Sequence, residues 1–177
     1  PALVAQDGLE ATGKYADGSL RPHHGYGNNC IMPGVGAVLT RVVGPYRTGA
    51  ADVRQVWVMD LATGQHTMRA DYSALTALGS GEGSACYDPR LDCVWSIGQA
   101  TSTMVQIQGL RSGSCTVTKR GAWDNWIMSS GNLRHVPTLP NHLVMWPSLL
   151  SAGGVVVFDT TDYSTSLPTV TGSFAAG

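Results

Sequence analysis

The feature that most constrains this chain is a recurrence. NNCIMPGVGAVLT carries Cys30, Pro33 and Val38, and SACYDPRLDCVWS carries Cys86, Pro89 and Val94, each pair 56 residues apart. NLRHVPTLPNHLVMW places Pro137 48 residues beyond Pro89, again ahead of a β-type run from Leu143 to Trp146. Three downstream runs keep the same time: VWVMDLATG from Val56, VQIQGLRSG from Val105 and VVVFDTTD from Val155. In that register Leu61 falls on Leu110 and Gly64 on Gly113. A period of about 50 residues marks stacked supersecondary units, none of which buries its apolar face alone.

The units are made of strands. AVLTRVV, RQVWVMDL, DCVWSIG, TMVQIQGL, CTVTKR, NWIMSS, HLVMWPS and VVVFDTT are short β-branched and aromatic runs bounded by Gly, Pro, Asn, Asp or Ser. Helical periodicity is nearly absent, and its best candidate, ADYSALTALGS, soon runs into Gly79 and Gly81. Each unit reads as a short strand, a turn with Pro, a strand, a variable loop, a third strand, a turn of the Asp-Leu-Ala-Thr-Gly type and an exit strand such as QHTMRA or SCTVTKR. Alternation predicts that Val56, Val58, Val105, Ile107, Val155 and Val157 are buried at equivalent places in successive units.

Four strands in about 50 residues is the size of one β-propeller blade. The phrases VWVMDLATG, YDPRLDCVWSIG and VVVFDTTD resemble those of β-propeller proteins generally, over about residues 30 to 165. Neither the GH…WD signature of WD40 repeats nor the paired glycines of kelch repeats is present. The resemblance therefore implies a fold and no catalytic residues. The expected architecture is all-β, with three propeller-like four-stranded antiparallel blades at about 30–82, 83–131 and 132–165. Residues 1–29 form an N-terminal arm or partial strand, and 166–177 a C-terminal tail. The competing reading is a β-sandwich with coincidental turn spacing. Propellers close with four to eight blades, so three make an incomplete ring with open flanks. The expected partner is the chain itself or another protein subunit.

Composition narrows the function. Charged residues make up 13% and the formal net charge is −1, about half the usual charged share. The two lysines, Lys14 and Lys119, lie far apart and the arginines form no run, which argues against nucleic acid as a partner. No apolar stretch is long enough for a membrane-spanning helix. The N-terminal PALVAQDGLEATG lacks the basic and apolar regions of a signal peptide, and Pro1 fits either a processed start or a cut within a longer chain. Cys30, Cys86, Cys93 and Cys115 match no zinc spacing and are expected as buried free thiols.

No sequence motif carries catalysis. GxSxG and GxxxxGK[ST] are absent, and GSGEGSA at 79–85 reads as a connection between units. His23 and His24 fall in a Gly- and Asn-rich loop, His135 and His142 read as turn residues, and His66 lies on an exit strand. Asp60 and Asp159 are expected as Asx-turn formers and the other aspartates mostly as turn formers. No metal and no cofactor is expected. Trp123, Asp124, Asn125 and Trp126 form the one ligand-binding candidate: two indoles to stack on a sugar ring, flanked by groups that bond its hydroxyls, weighed against packing between blades. The expected function is a structural or binding component of a larger assembly, a virion or tail-type particle being one form. A carbohydrate-binding module or a propeller-type glycosidase or lyase is the alternative.

Overall fold

The computed structural model describes residues 27–42, 54–72, 74–75, 83–98, 103–122, 132–146 and 155–166. They form twelve strands and no helix, in three four-stranded antiparallel sheets. The first sheet holds β1 (Asn29–Met32), β2 (Gly36–Val42), β3 (Gln55–Met59) and β4 (His66–Asp71), hydrogen-bonded in chain order. The second holds β5 (Gly83–Asp88), β6 (Cys93–Gly98), β7 (Thr103–Gln108) and β8 (Thr116–Ala122), and the third β9 (Asn132–His135), β10 (His142–Trp146), β11 (Val156–Asp159) and β12 (Thr165–Ser166). The first strands of successive sheets lie side by side, β1 by β5 and β5 by β9. The result is a blade-like arc that does not close into a ring.

The turns follow from their residues. Asp60 Oδ1 accepts the amides of Ala62 and Thr63 at 2.8 and 2.9 Å, and Asp159 Oδ1 accepts that of Thr161 at 2.6 Å. These are the Asx turns expected at both places. Gly64 closes the first with φ near +71°, which costs glycine nothing, while Tyr163 holds the matching place at +63°. Tyr163 is retained there by its ring, which packs against Phe158 and lies under the Arg120 guanidinium.

Two apolar seams hold the sheets together. Between the first two sheets, Met32, Val38, Val56 and Val58 meet Ala85, Val94, Val105, Ile107 and Leu110. Between the second and third, Cys86, Cys93, Trp95, Ile97 and Met104 meet Leu133, Leu143, Met145, Val156 and Phe158. Trp95 is fully buried and meets Phe158 edge-on at 5.7 Å between centroids. Polar groups pair across the seams: Thr40 Oγ1 lies 2.9 Å from Ser96 Oγ, and the Leu133 amide donates to Ser84 Oγ at 2.8 Å. The buried hydroxyls of Thr40, Ser96 and Ser84 are thereby paired.

The strand pairing corrects the repeat register. Cys30–Val38–Val58, Cys86–Trp95–Gln106 and Arg134–Val144–Val157 are the matching cross-strand rows. Val94 and Ile107 therefore do not correspond to Val38 and Val58. They lie on the opposite face of their own sheet and pack against those residues across the seam. The cause is turn length: β1 and β2 are joined by three residues, β5 and β6 by four. One extra residue moves the following strand to its other face. Leu61 and Leu110 part for a similar reason, since the β7–β8 turn is a residue longer than the β3–β4 turn; Leu61 is exposed and Leu110 buried.

Of the six residues expected in the core, Val56, Val58, Val105 and Ile107 are buried. Val155 and Val157 are only half-buried, and Val156 and Phe158 take the core positions in the last sheet. The middle sheet has a neighbour on both faces, so all of β6 is buried; among the described residues the third has one on a single face. Replacing Ile107 with Asp places an unpaired charge in a closed seam at a cost of several kcal/mol. The expected outcome is no soluble folded chain, checked by solubility and circular dichroism; a cooperatively melting I107D would contradict the seam.

Candidate functional site at the convergence of the inner strands

The segments NCIMP, ACYDP and LRHVP end the inner strands of the three sheets, and their register places Cys30, Cys86 and Arg134 at the same level. The strands converge on a cavity of about 430 Å³ lined by Asn29, Cys30, Ile31, Pro33, Ala85, Cys86, Tyr87, Arg134 and His135. Among the described residues around it one type recurs, the thiol, and one permanent charge, the guanidinium.

Burial raises both thiols. Cys30 is pushed up to about 12 by desolvation, with the Arg134 charge pulling the other way. Cys86 is raised by desolvation and by the neighbouring Cys30 and Asp88. All four cysteines are free, and Cys93 and Cys115 are also raised by burial, to about 12 and about 11. At neutral pH these sulfurs are thiols, neutral and poorly nucleophilic.

Behind the cavity lies a polar group that sequence reasoning missed. Asp88 ends β5 and forms the expected turn through the Arg90 amide, but its carboxylate is fully buried. Its Oδ2 accepts Arg90 Nη2 at 2.8 Å and Trp95 Nε1 at 3.3 Å, and its Oδ1 accepts the Arg90 amide at 3.0 Å. Arg90 crosses to the third sheet, donating to Asn141 Oδ1 at 2.5 Å and Thr160 Oγ1 at 3.1 Å. His135 Nε2 faces Asp88 Oδ1 at 3.9 Å. His135 and His142 flank the Pro-rich turn at 136–141 as expected, though both belong to strands: His135 ends β9 and lines the cavity. His142 starts β10, with its ring 2.8 Å from Pro140 O. The available signal was Arg90 two residues after Asp88, with Trp95 seven on. Only the partner sheet distinguishes that pattern from an ordinary Asp-Pro turn.

Trp123, Asp124, Asn125 and Trp126, and also His23 and His24, lie outside the described residues. His66 starts β4, an exit strand. Among the described residues, no group of three or more His, Cys, Asp or Glu is arranged to hold a metal ion. Among the described residues around the cavity, the Arg134 guanidinium and the apolar walls can hold a small molecule; the thiols are not activated for covalent chemistry.

Two outcomes follow. Replacing Arg90 with Ala strands the buried Asp88 charge, and the loss of stability is expected to be about 3 kcal/mol or more by denaturant unfolding; a loss within roughly 0.5 kcal/mol would contradict the clamp. A raised thiol pKa means that thiolate forms only as pH approaches that value. The alkylation rate of Cys30, followed by mass spectrometry, should still be rising at about pH 10. Arg134→Gln removes a lowering influence, so it should slow that alkylation further, and a plateau by about pH 9 would contradict the assignment. No protein-family model, no curated protein and no solved structure matches the chain.

Proposed function

We propose that the chain is a structural or binding component of a larger assembly, in which its three blades form part of a closed β-propeller completed by further blades from a second copy or another subunit. One observation carries this reading: the middle sheet lies between two other sheets, while among the described residues no further sheet lies against the outward face of the first or the third. On the first, Trp57 is covered, but Ile31 and Met68 beside it are 57% and 45% exposed. On the third, Val144 is covered, but Trp146 is 46% exposed and Val155 and Val157 are half-exposed. Apolar surface at both ends of an arc favours association, because covering it removes it from water at roughly 25 cal/mol per Å².

Association has entropic costs that offset part of this gain, so the measurement is made at roughly micromolar concentration. Light scattering is expected to give a particle larger than one chain, or a chain that binds a dye for exposed apolar surface. Val157→Glu combined with Met68→Glu charges both flanks and should shift the particle toward the single chain without abolishing cooperative unfolding. A monodisperse single chain with no dye binding would reject the proposal.

A further inference from the structure

The cavity at the inner strands carries a charge imbalance. Among the described residues lining it, Arg134 is the one permanently charged side chain, and none is a carboxylate. Arg134 donates to the Leu133 carbonyl at 2.9 Å and to Asn132 Oδ1 at 3.3 Å. Among the described residues it has no carboxylate within ion-pair reach. A guanidinium has five N–H donors in a planar fork, so donors remain for a further acceptor. The nearest buried carboxylate, Asp88, is already neutralised by Arg90 at 2.8 Å. The sulfurs of Cys30 and Cys86 supply no counter-charge, because burial keeps both protonated.

The remaining walls suit an organic body. Ile31, Pro33 and Ala85 offer apolar surface, while Asn29 and Tyr87 add polar groups. A volume of about 430 Å³ falls in the range of small-molecule sites, roughly 300–1,000 Å³. The inner strands β1, β5 and β9 of a single chain and the turn after β1 supply these walls.

We propose that this cavity binds a small organic anion, its carboxylate paired with Arg134 and its apolar body set against Ile31, Pro33 and Ala85. Arg134 is the specificity-determining residue because its fork matches the two oxygens of a carboxylate, which a lysine ammonium matches only as a point charge. Cys30 and Cys86 serve as neutral wall: an aspartate at either position would satisfy Arg134 internally and close the site to anions.

The test is a titration of the full chain with benzoate at constant ionic strength, followed by backbone amide NMR shifts. Saturable shifts are expected at Cys30, Cys86, Arg134 and His135, with a dissociation constant of about 1 mM or tighter. Arg134→Gln should weaken binding at least about tenfold, and Arg134→Lys should recover part of that loss. Lys119→Gln, which removes an equal charge from the outer strand of the middle sheet, should leave binding unchanged. Benzamide, the neutral counterpart, should bind at least about tenfold more weakly. Shifts that stay linear to about 50 mM benzoate, equal weakening by Lys119→Gln, or equal binding of benzamide would each overturn the proposal.

Discussion

The structure depends on the burial of one sheet from both sides. β6 and β7 are covered by the first sheet on one face and by the third on the other, and Val94, Trp95, Val105 and Ile107 have essentially no solvent exposure. Sheets of four short strands are too small to bury a sufficient core alone. Their faces are completed by neighbours, so stability is shared between the two seams. Trp95 concentrates that dependence, since it fills the second seam against Phe158 while its indole N–H is satisfied by Asp88. An unsatisfied indole in so closed a place would cost on the order of 1–3 kcal/mol.

The same carboxylate links packing to the cavity. Asp88 is stable under the protein surface only because Arg90 neutralises it and reaches to Asn141 and Thr160 on the third sheet. Buried ion pairs add little net stability but are costly to break, and one well-attested use is to fix a single register. Here the pair sets the third sheet's turn against the second sheet's, and so fixes where β9 delivers Arg134 and His135. The ligand site proposed for the cavity thus rests on a seam contact outside it.

The terminal sheets show the complementary logic. Val155 and Val157 have the alternation of core residues and are half-exposed, because the third sheet has no described neighbour on that side. An apolar strand face lacking its neighbour is the physical basis for reading the chain as part of a larger assembly.

The strands, their grouping in fours and the three-fold repetition were legible in the sequence. They arise from local causes: β-branched runs, Asx turns at Asp60 and Asp159, and proline ahead of each second strand. The matching level of Cys30 and Cys86 was legible too, because equal strand and turn order carries them to equal depth. Which face each residue presents was not. One additional residue in the turn before β6 sends Val94 toward the first sheet instead of the third, and no local signal distinguishes the two outcomes. The fate of Asp88 was likewise undecidable in one dimension, since Asp-Pro-Arg makes an ordinary exposed turn unless another sheet closes over it. The sequence by itself determined that this protein is all-β and built of repeated hairpins, because those properties follow from neighbours along the chain. Only the tertiary structure decided which residues meet across the seams and that the Arg134 guanidinium comes beside two neutral thiols, because those are relations between sheets about 50 residues apart.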